Sequence, residues 1–388
     1  MRAVYGWLLV LLACLPACCL GKVGDDPRLI VEALRCKGNV TTSCRSILDY
    51  VYLSPGDRLN EKEIQNAELR LSWLRNFNFV DIYLEKGSER GKVVVVVEVS
   101  EANALQREAT LATGRLAATW TQVVAARATD YNLFGAGRIL DLQLQARIPI
   151  SGPEMQSVQA RLQYVDPHLF DSQRYFLSAG LSRQDTHYDF PNGDSYEADI
   201  TAAQVEVGRR LGAFNYLVLG VQYRPVSAVV CHIQQGNGTL ETFTFTRRAT
   251  PLAGFGRNTL DDPYFPTHGT LLQLYFSGPP DCSDHLSFAI QKTWTVGEGS
   301  FVSIGGQPGE FPVRYERRLP QTGLFRDIRR GRWYLGASLV NVEYGIAEKG
   351  GSIRQLGLRA GIRFETSRLG IVELSIFGTT DRRTGVIR

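Results

Sequence analysis

A period of two runs through most of this chain. In Ile139 to Ile148, ILDLQLQARI, residues Leu140, Leu142, Leu144, Ala146 and Ile148 share one face, and Asp141, Gln143, Gln145 and Arg147 share the other. Successive side chains of a strand point to opposite faces, so the segment reads as a strand with one apolar and one polar surface. Any half-buried strand reads that way. The constraint comes from recurrence, because the pattern returns roughly every fifteen to twenty residues as far as the C-terminus. Many such strands in one chain are the signature of a transmembrane β-barrel, apolar toward lipid and polar toward a lumen.

The first alternating segment is Ala118 to Arg127, followed by Ile139–Ile148, Ser157–Val165, RYFLSAGL, ADITAAQVEV, NYLVLGVQY, TFTFTRRA, TLLQLYF, LSFAIQKTW and SFVSIGG. RWYLGASLVNVEYGI, QLGLRAGIRFE and LGIVELSIF close the series, and a weaker strand lies between Phe311 and Leu324. In QLGLRAGIRFE, Leu356, Leu358, Ala360, Ile362 and Phe364 oppose Gln355, Arg359, Arg363 and Glu365. Such a charged row is costly against lipid and natural inside a wet lumen. The count predicts about fourteen strands, or sixteen if two more lie near the C-terminus, since bacterial single-chain barrels use even numbers. A soluble sandwich with this many strands would need two or three domains, and the linkers for them are not evident.

Composition fits both worlds. Hydrophobic residues make up 44% of the 388 and the mean hydropathy is −0.13. A membrane barrel has soluble-like averages, because only every second strand residue meets lipid. The formal charge of +4 is too small and too evenly spread to argue for nucleic acid. Arg2, the apolar run Val4–Leu12 and the small residues of ACLPACCLG read as a secretory signal over residues 1–20, too short to span a membrane as a helix. Within it, LLAC and LPAC resemble lipoprotein cleavage sites, which would place a lipid on Cys14 or Cys18. Cys36, Cys44, Cys231 and Cys282 remain for an exported product, and four cysteines allow three pairings. Cys36 and Cys44 are close enough in sequence to bridge in an oxidising compartment. Strand parity puts Cys231 and Cys282 in turns on the periplasmic rim, where they could form a second bridge. The cysteine and histidine spacings suggest no metal, and no cofactor is expected.

Residues 28–101 read as one small α+β unit. LIVEALRC is a strand, and Thr41 and Thr42 can cap a helix carrying Ile47, Leu48 and Val51. A second helix from about Asn60 to Leu74 has Ile64, Ala67, Leu71 and Leu74 at helical spacing. FNFVDIYLEKG alternates as a strand, and VVVVVEV suits a central strand covered on both faces.

The order strand, helix, helix, strand, strand resembles a POTRA module, in wording as well as order: LRCKGNVTT, YLSPGDRLN, LRNFNFVDIYLEKG and VVVVVEVSE. Farther on, Asn132–Gly137 (NLFGAG), Val165–Phe170 (VDPHLF) and Asn258–Gly269 (NTLDDPYFPTHG) resemble in order and spacing the POTRA–barrel family of BamA and its relatives, of the bacterial surface antigen type. Each string alone is an ordinary turn; three in series behind a POTRA-like module carry the resemblance over nearly the whole mature chain. It implies a barrel over residues 110–388, an outer membrane of a Gram-negative bacterium, and a POTRA in the periplasm. The implied partners are membrane lipid, unfolded or extended outer-membrane or exported proteins, and periplasmic or lipoprotein accessory subunits. POTRA modules bind extended segments by strand addition, here along Val80, Asp81, Ile82, Tyr83 and Leu84.

Family members also carry an Arg-Gly-aromatic motif on a loop that folds into the lumen. Its slot here is Gln321-Thr322-Gly323-Leu324, with Thr322 where arginine is expected and Arg326 or Arg329 as substitutes. The last aromatic residue is Phe377. Asp261-Asp262 reads as a loop-shaping pair, and the chain carries no catalytic motif, so it is expected not to be an enzyme. The leading expectation is insertion or translocation of other proteins by strand templating, at a seam near Ala118–Arg127 and Leu369–Phe377. The alternatives are a passive or structural barrel that has lost assembly activity, and a secretion pore for one partner.

Overall fold

A computed structural model describes residues 29–116, 119–151, 156–189, 195–225, 227–232, 240–245, 248–262, 265–277, 286–306, 310–319, 328–344, 351–366 and 370–379. Cys14, Cys18, Cys282, Thr322, Gly323, Leu324 and Arg326 lie outside them.

The N-terminal unit is built from β1 (Ile30–Lys37), helices α1 (Cys44–Leu48) and α2 (Glu61–Ser72), β2 (Phe77–Lys86) and β3 (Lys92–Glu101). The sheet order is β1-β3-β2, with β1 parallel and β2 antiparallel to β3. The valine run is therefore the central strand, and Val93 to Val97 are all buried. Helix α2 begins where Asn60 caps it by accepting from the Glu63 amide. Its inner stripe, Ala67 and Leu71, is fully buried against Val31, Ile47, Val51 and the odd-numbered valines of β3. Each buried leucine or valine of that stripe contributes about 1.5–3 kcal/mol. Cys36 and Cys44 form a disulfide that ties the end of β1 to the start of α1.

Seventeen strand segments follow and close on themselves. They are β4 (Leu105–Leu116), β5 (Thr119–Leu133), β6 (Arg138–Ser151), β7 (Gln156–Asp166), β8 (Tyr175–Asp189), β9 (Ser195–Arg210), β10 (Asn215–Arg224), β11 (Ser227–His232) and β12 (Leu240–Phe245). The rest are β13 (Arg248–Asn258), β14 (Gly269–Ser277), β15 (Leu286–Gly297), β16 (Ser300–Gly306), β17 (Glu310–Arg318), β18 (Ile328–Tyr344), β19 (Gly351–Thr366) and β20 (Gly370–Thr379). β10 and β11 run one after the other along β9, and β12 and β13 continue one another on the far side of β10 and β11. The barrel thus has fifteen staves among the described residues.

One expectation is corrected here: Ala118–Arg127 is not the first strand of the barrel. The first strand is β4, beginning at Leu105, so Ala118–Arg127 lies at the second and Ile139–Ile148 in the third. Fifteen staves fall within the expected fourteen to sixteen, and the number is odd. In an odd up-and-down barrel the first and last strands run the same way, and β20 indeed pairs in parallel with β4, from Ile371–Glu108 to Gly378–Arg115.

Alternation sorts the two faces of the wall as the sequence requires. On β6, Leu142, Leu144 and Ile148 are exposed outward, whereas Asp141 is 6% exposed on the inner face and Arg147 is half-buried there. Outward apolar residues recur around the barrel, among them Val124, Leu162, Leu219, Ile304, Leu335 and Ile376. Among the described residues no helix is long and apolar enough to cross a membrane. Closure leaves no free strand edge, so the wall can stand in hydrocarbon with its backbone satisfied.

Candidate functional site

The small domain sits on one rim of the barrel, and the turns that meet it are the three strings singled out in the sequence. In the β5–β6 turn, Asn132 Nδ2 donates to Thr42 Oγ1 at 3.0 Å and the Gly137 amide donates to Asn132 Oδ1. The Ser43 amide donates to the Gly135 carbonyl at 3.0 Å. Gly135 has φ of 73°, and a Cβ there would lie 2.7 Å from the Thr41 carbonyl oxygen, so only glycine lets the two backbones meet. The opposing loop is fixed by Glu101, whose carboxylate accepts from the amides of Val40, Thr41 and Thr42 and from Thr41 Oγ1. Burial pushes its pKa up, but those hydrogen bonds outweigh it and hold the group down at about 2.

The second string caps β7. His168 is buried with its ring edge-on to Tyr50, centroids 4.7 Å apart, and Arg45 pairs with Asp171 at 3.1 Å. Arg210 donates to the carbonyls of Pro167 and Gln173 and so holds this turn in shape. Burial, and after it the nearby Arg210 guanidinium, lower the His168 pKa to about 3.

The third string links the domain to the inner wall. Trp73 Nε1 donates to the Leu260 carbonyl at 2.7 Å, and Arg75 lies 3.5 Å from Asp262. Asp262 is shared with Arg330 of β18, which also pairs with Glu365 of β19. Arg332 donates to the carbonyls of Phe265 and Pro266 and to Glu316. The turn is folded into the barrel mouth by its own carboxylates: Asp261 accepts from the Thr267 and His268 amides, and Asp262 from the Phe265 amide. Loop-shaping is thus what the Asp261-Asp262 pair does.

Deeper on the same wall, Glu373 of β20 accepts from Tyr334 Oη at 2.6 Å, Arg359 at 2.9 Å and Arg363 Nε at 2.8 Å. Glu316 is held between Arg332 and Arg314. The acidic groups of this wall are therefore met by arginines of neighbouring staves. At the seam, the Phe377 ring lies across Gly114 of β4, where a Cβ would be 2.5 Å from Phe377 Cγ.

Val80 to Leu84 lie on β2, an outer strand of the domain's sheet. Phe79 and Leu84 are exposed there, and the Ile82 amide donates to Glu68 Oε1 of α2 at 3.2 Å. One end of β2 opens into a cavity of about 510 Å³ between domain and barrel. Phe77 to Val80 line one side, Leu105 to Arg107 at the foot of β4 line another, and Gly370 at the foot of β20 a third. Arg329 also lines it. Cys231 is not in a turn on the domain-side rim. It pairs with Glu241 and Tyr196 in an extension of the wall at the opposite end. The missed strand β4 shifted the parity on which the rim assignment rested. Sequence reasoning also missed Glu68, Tyr50 and His168, whose roles depend on which elements meet.

A closed wall of alternating strands, apolar outside and charged inside, with an α+β domain docked on one rim, defines a transmembrane β-barrel. Residues 132–301, which begin at the first docking turn, match the Omp85 superfamily domain. The fold is similar to CdiB from Escherichia coli, with a TM-score of 0.60 at 12% identity over 93% of this chain and 74% of that one. CdiB from Acinetobacter baumannii gives 0.55 at 12% identity over 88% and 68%. BamA from Haemophilus ducreyi lacking POTRA domains 1–3 gives 0.46 at 12% identity over 93% and 83%. No curated protein sequence matches significantly.

Proposed function

We propose that this chain is a Gram-negative outer-membrane barrel with one periplasmic POTRA module, and that it takes part in inserting or translocating other proteins by strand templating. The observation that carries the reading is the shared cavity. One end of the addition edge on β2 and the feet of both seam strands, β4 and β20, open into the same space. An extended segment held on the edge by backbone hydrogen bonds has a short path to the seam, where separated strands would offer it a second edge. Its partners are extended or unfolded exported chains, with lipid around the barrel and accessory subunits as further candidates. No covalent chemistry is required of the protein. Depletion in the native host is expected to lower the levels of other outer-membrane barrels. Normal levels would remove the general assembly role and leave the passive barrel or single-partner pore.

The edge is guarded at its centre. Glu68 occupies the Ile82 amide that an incoming strand would need, so Glu68→Ala is expected to tighten binding of an extended peptide. The gain is about 3–10-fold, the worth of roughly one net hydrogen bond. Fluorescence anisotropy of a labelled peptide with the detergent-solubilised full chain measures it. Equal affinity in the two proteins would place the binding edge elsewhere.

A further inference from the structure

The charges on the inner wall are unevenly distributed. Register carries the inward face from stave to stave, because directly paired residues share a face. On β5 to β9, Arg127, Arg147 and Arg161 are matched in number by Glu108 on β4, Asp141 and Glu206. From β13 to β16 the inward set is uncharged at mid-strand, with Gln273, Tyr275, Gln291, Thr293 and Ser303 among it. From β17 to β20 the row holds Arg314, Arg332, Arg359 and Arg363 against only Glu316 and Glu373. Nearer the domain, Arg318 and Arg330 are matched by Glu365 and Asp262. Among the described residues the β17–β20 wall therefore carries two positive charges in excess, and Arg210 and Arg224 add to the positive charge on the inward face of β9 and β10.

That excess borders open space. A cavity of about 420 Å³ is lined by three arginines, Arg314, Arg359 and Arg363, against one carboxylate, Glu316, together with Gln291 and Ser303 from the uncharged stripe. Arg314 and Arg359 also flank the Tyr334 ring, 4.6 and 5.9 Å from its centroid. Fixed charges in a narrow, partly low-dielectric passage raise the local concentration of the opposite ion and repel their own kind.

We infer that the lumen conducts small anions in preference to cations, with selectivity set by the arginine-rich wall of β17–β20. This rests on the membrane-barrel reading and adds to it a ligand class, small inorganic anions such as chloride. The test uses the full chain in planar bilayers under a KCl gradient. The reversal potential of the wild type is expected to have the sign of chloride permeation. In the double variant R314Q/R359Q it is expected to move to zero or past it. Each remaining carboxylate keeps a partner in that variant, Glu316 with Arg332 and Glu373 with Arg363. Folding is checked by heat-dependent gel mobility. R183Q, a change on the exposed outer part of β8, is expected to leave the potential unmoved. A wild-type preference for potassium, or a double variant with unchanged potential, overturns the inference. Absence of conductance from protein that floats with liposomes also overturns it, while the assembly reading stands. Failure to float with liposomes removes both.

Discussion

Glu373→Ala is expected to be among the most damaging single changes in the barrel. The carboxylate is 6% exposed and is met by Tyr334, Arg359 and Arg363. Removing it leaves two guanidinium groups side by side on β19 with their shared counter-ion gone. Breaking a buried ion pair from one side costs on the order of 3–5 kcal/mol, because the remaining charge stays desolvated and unmatched. Glu373 sits on β20, the strand that pairs in parallel with β4, so the loss falls beside the seam. The temperature at which the folded barrel converts to its slow-migrating unfolded form in gel electrophoresis should drop sharply. Glu373→Gln, which keeps two acceptor or donor positions without the charge, should fall between. An unchanged transition in Glu373→Ala would mean that water in the lumen, not the carboxylate, neutralises the arginines.

The acidic groups of this wall, Glu316 and Glu373, are met by Arg332, Arg314, Arg359 and Arg363, all carried on staves. Alternation made those arginines visible in the sequence as an inward row. What alternation cannot supply is pairing across strands, because register depends on bulges and turn lengths.

Strand β4 shows where the pattern itself fails. Its outward set, Leu105, Arg107, Ala109, Leu111, Thr113 and Arg115, has only two large apolar residues, and its inward set includes Ala112 and Gly114. A strand whose lipid face is this polar looks like a linker. Leaving β4 out reverses the parity of every later strand, which moves Cys231 to the opposite rim and the first seam strand from β4 to β5. By contrast, the five-valine run and the capped helix behind Asn60 were legible because one sheet and one helix stripe decide them locally. The docking turns were recognised as strings without a role. Their role emerges only when the domain and the rim are seen together.

Acid is expected to loosen that docking through His168. In the docked form, burial and Arg210 lower its pKa to about 3 from an ordinary value of 6.5. Undocked, the ring meets water and returns toward 6.5. The docked state therefore binds fewer protons. Its stability is fully present above pH 6.5 and declines as pH falls from 6.5 toward 3. Each unit in that window costs roughly a tenfold change in the docking equilibrium. Glu101 works in a separate window. Its pKa is lowered from 4.5 to about 2, so its contribution is kept above 4.5 and fades only as pH falls toward 2. Asp171, paired with Arg45 at the surface, adds little, as exposed pairs do. Between pH 6.5 and 5, then, His168 should set the downward slope, while Asp49 at the end of α1, whose carboxyl burial pushes up, acts in the opposite sense. Divided by the intrinsic exchange rate, which itself falls as pH falls, the exchange of the segment from Ser43 to Tyr50 should show protection dropping about fifteenfold over that range. His168→Phe preserves an edge contact with Tyr50 and cannot take up a proton, so its protection should stay flat. An equal drop in the two proteins would show that the joint opens for another reason.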